Sequence, residues 1–244
     1  DGVLFMRERS RHGGEYDYLL PLGEGSLCDR VRALREAVGG RLTMSLVPED
    51  ALDELRKEFD FTAAEEPDIA DYMYKAEDLA YLAGKKYSKK RNLIHQFEKL
   101  YPDYTLEAIT AENAHRIAEC CAHDWSDAGM SELAIYENDH TREVLEDFAA
   151  YGCTGYALLT DGEVAAFCIG EVMGDTLIVH IEKGKREYKG AFQMINCLFA
   201  KTELEKCGIR YVNREDDVGD EGLRQAKQSY FPEYMLKKFR LEYE

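Results

Sequence analysis

Apolar positions along the chain switch between two periods. Residues 3–9, "VLFMRER", and 16–22, "YDYLLPL", alternate as strands do, and the turn-forming "RHGGE" between them predicts a hairpin. From Leu27 to Val38 the spacing becomes helical, with Leu27, Val31, Leu34 and Val38 in one stripe closed by Gly39-Gly40. "RLTMSLV" then reads as a strand. "PEDALDELRKEF" opens with Pro48 and two acids in a first helical turn, the charge sign a helix N-terminus favours. "IADYMYKA" returns to strand, so this first series runs strand, helix, strand, helix, strand.

A long helix-like segment from Glu77 to Leu100 leads to "YPDYTLEAITAEN", which starts a second series. Helices are expected from about Ala111 to Trp125 and from Thr141 to Tyr151. "CTGYALLTDGEVAAFCIGEV" is two strands joined at Asp161-Gly162, and "TLIVHIEKG" is a third. A helix from about Gly190 to Lys206 carries Phe192, Ile195 and Phe199 on one face and ends at Gly208. "IRYVN" is a strand, "DEGLRQAKQSYF" a helix with Leu223, Ala226, Tyr230 and Phe231 on one side, and "YMLKKFRLEY" a last strand. Setting "YLLPLGEGSLCDRV" over "LIVHIEKGKREYKG" aligns the two series at an offset of about 160 residues, the mark of a duplication. The expected boundary lies near Tyr101, giving domains 1–100 and 101–244. The first copy has no counterpart of the second copy's opening helices, so it is expected to be truncated at its N-terminus.

Composition narrows the setting. Hydrophobic residues make up 45% of the chain and aromatics 11%, with 16 tyrosines, which marks an ordered globular protein. A net charge of -17 repels a phosphate backbone or an anionic membrane at long range, so any nucleic-acid contact has to be local. Seven cysteines, an odd number without a CxxC pair, fit reduced thiols in a cytoplasmic protein. His115, Cys120, Cys121 and His123 lie within one helical segment and cannot converge on a zinc ion, so no metal is expected. There is no apolar run of the ~20 residues that a membrane span needs, and no signal-peptide pattern.

Three stretches carry chemistry. In "VHIEKGKREYKG" a strand ends and a helix follows Gly190, so backbone amides and a positive dipole end face an anion, reinforced by Lys183, Lys185, Arg186 and Lys189. This is similar to the way acetyltransferases of the GNAT superfamily hold the pyrophosphate of coenzyme A. Their loop reads Gln/Arg-x-x-Gly-x-Gly/Ala, whereas the frame that fits Gly190 begins at Glu187 and ends at Phe192. An ordinary strand-to-helix turn with solvated lysines is the other reading. In "GKKYSKKRNLIHQF", Lys85, Lys86, Lys89, Lys90 and Arg91 gather five cations without an acid; wrapped as a helix, Lys86, Lys90 and Arg91 share a side while Leu93, Ile94 and Phe97 face inward. The run is either a solvated basic face or part of an electropositive cleft. In "YVNREDDVGDEGLRQAK" a calcium loop fails on spacing, since Gly219 at position 6 puts Arg214 at position 1 and Gly222 at position 6 puts Gly219 at position 3. Asp220 suits a helix N-cap with Glu221 in the first turn. Asn213, Glu215 and Asp216 then stand at the carboxyl end of a sheet strand, where open α/β sheets place ligands.

"DYMYKAEDLAYLAGKKYSKKRNLIHQFEKLYP", "HIEKGKREYKGAFQMIN" and "YVNREDDVGDEGLRQAKQSYFP" resemble, over nearly the whole chain, an uncharacterised bacterial family related to the C-terminal domain of phosphatidylglycerol lysyltransferase. The resemblance implies an α/β (α+β) architecture of tandem GNAT-like domains, each a mixed, mostly antiparallel sheet flanked by helices, similar to the Fem-type peptidoglycan aminoacyltransferases. In those groups a hydroxyl or amine attacks an aminoacyl ester on tRNA without a metal or a covalent enzyme intermediate. Carried onto this chain, it makes His180 (as proton shuttle), Glu182, Glu215 and Asp216 catalytic candidates, Glu182 and Asp216 holding the donor's ammonium. Lys89, Lys90, Arg91, Asn92, Lys183, Asn213, Arg224 and Lys227 become candidates for substrate or phosphate contacts. The implied donor is aminoacyl-tRNA or an acyl-CoA, and the acceptor a small molecule, a peptide or a lipid headgroup. Nothing in the chain selects lysine over alanine or arginine. A coenzyme A dependent N-acyltransferase and a non-catalytic module that holds a small amino compound or peptide are the competing readings. A catalytic cleft is expected in the second copy.

Overall fold

The computed structural model describes residues 2–13, 15–124 and 132–243, apart from the side chains of residues 120–124 and 132–134. Strands β1 (Val3–Leu4), β2 (Arg7–Arg9), β3 (Tyr16–Tyr18) and β4 (Leu22–Gly23) precede α1 (Leu27–Val38), β5 (Leu42–Pro48), α2 (Glu49–Leu55) and β6 (Thr62–Glu65). After β7 (Asp71–Lys75) come α3 (Ala76–Tyr81), α4 (Ser88–Leu100), β8 (Thr105–Ala108), α5 (Ala114–Asp124), α6 (Glu132–Glu146) and α7 (Phe148–Tyr151). The chain continues through β9 (Thr154–Thr160), β10 (Glu163–Met173), β11 (Thr176–Gly184), α8 (Ala191–Cys207), β12 (Tyr211–Asn213), α9 (Glu221–Gln228), β13 (Tyr234–Leu236) and β14 (Lys238–Tyr243).

The chain divides into two compact units, each discontinuous in sequence. One unit comprises Asp1–Tyr72, Asp216–Lys227 and Tyr234–Glu244, and the other Met73–Glu215 and Gln228–Glu233.

In the first unit a five-stranded sheet runs in the order β2-β3-β5-β14-β6. Only β3 and β5 are parallel; β14 pairs antiparallel with β5 on one side and β6 on the other. Strand β14, read from the sequence as the end of the second domain, thus closes this sheet. Helix α1 starts on a capping box, in which the Ser26 hydroxyl accepts from the Asp29 amide at 3.1 Å and the Asp29 carboxylate accepts from the Ser26 amide at 3.3 Å. Its stripe buries Val31 and Leu34 against Leu42, Met44, Leu52, Leu55 and Tyr243. The N-terminal hairpin forms between β2 and β3, although each expected strand is broken in two.

The second unit's sheet holds six strands in the order β7-β12-β11-β10-β9-β8, all antiparallel except β11 with β12. The hairpin through Asp161-Gly162 and the helix closed by Gly208 form as expected. Its core gathers Ile117, Leu145, Phe148, Leu159, Phe167 and Ile169.

Two expectations give way. The helix expected from Glu77 to Leu100 breaks after Tyr81. Leu82 takes a left-handed conformation (φ 47°) and returns its N–H to the Asp78 carbonyl, Gly84 follows at φ 88°, and a 3-10 turn at Lys85–Tyr87 restarts the chain into α4. Arg91 locks the break by donating to the carbonyls of Leu82 and Gly84. In α9 the expected apolar side faces outward, since Leu223 and Ala226 are exposed while Lys227 is buried. The helix stops at Gln228, before Tyr230 and Phe231. The His115–Cys120–Cys121–His123 cluster lies partly outside the described side chains. Among the described residues no group of three His, Cys, Asp or Glu could hold a metal ion, and no helix is long and apolar enough to cross a membrane.

Candidate active site

In the second unit the sheet opens where β11 and β12 part. Their parallel ladder joins Thr176, Leu177 and Ile178 to Tyr211, Val212 and Asn213 and ends there, while β11 continues along β10 to Gly184. Arg214, the residue after β12, lies past the end of that ladder. Its Nε and Nη2 donate to Glu182 Oε2 at 3.1 and 2.8 Å, and Asn196 of α8 donates to the same oxygen at 3.3 Å. The pair is sealed, with side-chain exposures of 5% for Arg214 and 9% for Glu182. Rings of Tyr230, Phe192 and Tyr74 surround the guanidinium at 5.0, 5.8 and 5.9 Å.

All these donors converge on one oxygen of Glu182. Its other oxygen, Oε1, is buried without a donor, and so are Asn196 Oδ1 and the Tyr230 hydroxyl oxygen. Lys90, in the first turn of α4, turns inward to place Nζ 3.9 Å above the Tyr230 ring and donates to Ser229 Oγ at 2.6 Å. Burial, aided by the Arg214 charge, pushes Lys90 down to about 8 against the pull of Glu182. Tyr87 holds the segment in place, its hydroxyl 3.0 Å from the Tyr230 carbonyl.

His180 occupies a β-bulge. Ile169 pairs with Ile181 and Gly170 with Val179, which leaves His180 as the extra residue, and bulges of this kind re-aim side chains beside functional sites. Its Nδ1 lies 2.7 Å from Glu215 Oε1 and its Nε2 3.2 Å from Glu171 Oε1. The hydrogen bond to Glu215 outweighs desolvation and raises the imidazole above its ordinary value. Glu215 itself sits at φ 53°, with its amide donating to Asn213 Oδ1 at 2.7 Å. Asn213 therefore shapes the turn that presents Glu215.

The basic run of α4 does not make a continuous phosphate track. Lys89 and Asn92 are exposed, Lys90 and Arg91 turn inward, and Lys86 belongs to the preceding 3-10 turn, where it pairs with Asp78 at 3.1 Å. Lys183 donates to Glu137 at 2.9 Å and to Asn138 at 2.8 Å. In the loop before α8, the amides of Lys185, Tyr188, Lys189 and Ala191 are committed to the carbonyls of Ala165, Lys185, Glu187 and Tyr188, so none of the four is free for a pyrophosphate. Gly190 serves packing: at φ 92° a Cβ would lie 2.2 Å from the Leu93 carbonyl oxygen.

Asp216, Arg224 and Lys227 belong to the first unit. Arg224 grips Asp217 through Nε at 2.9 Å and Nη2 at 2.8 Å, and reaches Asp68 at 2.7 Å. Asp217 also accepts from Tyr72 at 2.5 Å and from the Gly219 amide at 2.9 Å, and the Arg224 bonds lead in holding it down at about 2. Lys227 Nζ donates to the Asp216 carbonyl and lies 5.7 Å from the Tyr72 ring. Burial raises the Asp216 carboxyl, and Lys238 acts against it. Asp220 caps α9, accepting from the Leu223 amide at 2.7 Å.

The geometry thus brings Glu182 together with Lys90 and His180 with Glu215. Arg214, Asn196 and Tyr230 escaped the sequence reading.

A family described as phosphatidylglycerol lysyltransferase, C-terminal, matches residues 1–242. The crystal structure of a conserved protein of unknown function from Bacteroides thetaiotaomicron is 32% identical with a TM-score of 0.80, covering 95% of this chain and 80% of that one. The structure of L-PGS from Bacillus licheniformis is 13% identical with a TM-score of 0.67, over 99% of this chain and 81% of that one. An uncharacterised protein of Mycoplasmoides gallisepticum is 23% identical over 175 residues, 69% of this chain and 54% of its own length. The chain therefore spans about half the length of that curated relative. The α/β architecture of mixed, mostly antiparallel sheets flanked by helices forms as expected from the sequence, and the fold matches L-PGS over nearly the whole chain.

Proposed function

The chain belongs to the phosphatidylglycerol lysyltransferase C-terminal family, and from that premise we propose that it moves an aminoacyl group from an activated ester, such as that of aminoacyl-tRNA, to a hydroxyl or amine acceptor. The observation that carries this reading is the set of buried oxygens at the parting of β11 and β12. Glu182 Oε1, Asn196 Oδ1 and the Tyr230 hydroxyl oxygen all lack a donor. A buried acceptor left in that state costs about 1–3 kcal/mol, and Glu182 Oε1, on a carboxylate bonded to Asn196, is placed for something that donates. A primary ammonium brings three N–H groups, and its bond to Glu182 is charge-assisted. The α-ammonium of an aminoacyl ester meets that description.

Arg214 supplies the complementary charge. As the acceptor attacks the ester, negative charge grows on the carbonyl oxygen, and a fixed cation in a water-poor site stabilises it. Lys89 and Asn92, exposed on α4, are the residues of that run available to donor phosphates. With a net charge of -17 on the whole chain, such contacts have to work locally, which favours a short track over a broad basic face.

The test uses total aminoacyl-tRNA labelled on the amino acid, offered separately with glycinamide, glycerol and phosphatidylglycerol vesicles. Label appears in one of these acceptors with the wild type and falls at least 100-fold with Glu182→Gln, which keeps the side-chain shape and removes the charge. Transfer unaffected by Glu182→Gln would overturn this placement of the ammonium.

A further inference from the structure

Lys90 behaves unlike the cations beside it. Lys89 points to solvent and Arg91 is spent on two backbone carbonyls, but Lys90 lies inside the unit on the Tyr230 ring, 3.9 Å from Nζ. The guanidinium of Arg214 stands 5.0 Å from the same ring. The groups facing Lys90 are Ser229 and the Tyr230 phenol from the segment after α9, Arg214 from the end of β12 and Glu182 from β11; on its own side, Lys86 is held by Asp78. Two cations therefore share one ring, and the single carboxylate among these groups is already bonded to Arg214 at 2.8 Å. A guanidinium does not give up its proton, so the proton that can leave is the one on Lys90.

His180, the proton shuttle expected from the sequence, is held differently. Glu215 engages one ring nitrogen and Glu171 the other, and the bond to Glu215 raises the imidazole above its ordinary value. With both ring nitrogens engaged by carboxylates, neither is free to take the proton that the acceptor must lose.

We propose that Lys90 is the proton acceptor of the transfer step, an inference that rests on the aminoacyl-transfer reading above. The acceptor's lone pair forms a bond to the ester carbonyl carbon while its N–H or O–H proton passes to the neutral amine of Lys90. The carbon–oxygen bond to the ribose then breaks, its electron pair stays on the ribose oxygen, and the Lys90 ammonium returns the proton there. Ester and acceptor become a new amide or ester and a free ribose hydroxyl, and Lys90 ends as it began. The depressed proton affinity from burial beside Arg214 keeps the required neutral form accessible near neutral pH.

The experiment follows transfer with the full chain, total aminoacyl-tRNA and the same three acceptors, between pH 6 and 10. The wild-type rate is expected to rise with pH and level off above about 8. Lys90→Met and Lys90→Arg should both lose about 100-fold or more in kcat with KM for charged tRNA within about threefold, because arginine keeps the charge but cannot cycle a proton. Ser229→Ala removes the oxygen that accepts from the ammonium, so its limb should move to lower pH with the fold intact by circular dichroism. Lys90→Arg at the wild-type rate, an unmoved limb in Ser229→Ala, or a limb near the ordinary imidazole value of about 6.5 that survives in Lys90→Met would each overturn the assignment. Absence of transfer by the wild type in all three arms removes the transfer reading itself, and the base with it. Loss confined to the Lys90 variants is the outcome that supports both.

Discussion

Two arginines flank the same acidic run and each grips a carboxylate, yet the two grips differ in kind. Arg224 and Asp217, in the first unit, form a finished structure: Asp217 accepts from Arg224, Tyr72 and Gly219, and Arg224 reaches Asp68 as well. Arg224 keeps 26% of its side chain in solvent. Arg214 and Glu182, in the second unit, are sealed among rings, and their carboxylate keeps an oxygen without a donor. A saturated pair at a surface turn is what a helix start needs. A buried pair with an acceptor to spare is what a binding group needs.

The largest expected effect comes from breaking the sealed pair. Arg214→Met should lower the unfolding free energy in urea by about 3–5 kcal/mol, because it strands a buried carboxylate. Glu182→Leu combined with Arg214→Met should recover most of that loss while transfer stays abolished; if the single substitution costs under about 1 kcal/mol, the pair is not sealed.

Arg224→Met should act more weakly at neutral pH and show itself on the acid side. Asp217 sits at about 2 in the fold, against about 3.9 for an ordinary aspartate. The stability from that pairing is fully present above about pH 4 and lost as pH falls through about 2. The variant should therefore unfold at higher pH in an acid titration followed by circular dichroism. An unchanged acid midpoint would show that the Arg224 contact does not set Asp217.

His180→Gln probes the second unit with a smaller effect. The imidazole is raised in the fold by Glu215, so its stabilisation is complete below the unfolded value of about 6.5 and fades as pH rises through the folded one. The gap in urea midpoint between wild type and variant should be widest at pH 6 and narrow toward pH 9. Smallest of all, Leu223→Ser on the outward side of α9 should change stability by no more than about 0.5 kcal/mol, where an inward apolar face would make it costly.

Much of the architecture was legible where local chemistry decides it. Gly39 closes α1, Asp161-Gly162 turns the β9–β10 hairpin, and Asp220 caps α9, because each of these signals acts within a few residues. The failures were tertiary. Periodicity through "AYLAGKKYS" could not register that Arg91, a turn further on, would hold the carbonyls of a break. In α9 the inward groups are Arg224 and Lys227, drawn by Asp217, the Asp216 carbonyl and Tyr72, and no hydrophobic pattern reports that. Charge density drew the reading of the site toward runs of lysine and acid. The deepest ion pair among the described residues was made by isolated residues, Glu182 and Arg214, whose burial depends on where two strands separate.

The placement of β14 also sets an order of events during synthesis. Arg41, before β5, contacts Glu242 on β14, a partner 201 residues later. At ribosomal rates of about 5–20 residues per second, β5 and β6 wait roughly 10–40 s for the strand that fills the gap between them. Throughout that interval both carry unpaired edges, the kind of surface on which nascent chains join one another. Contacts so distant in sequence also make for slow closure once the strand arrives. Strands β5 and β6, made long before β14, are thus among the last to complete their sheet, and holding them apart from their neighbours in the meantime becomes a task for the cell.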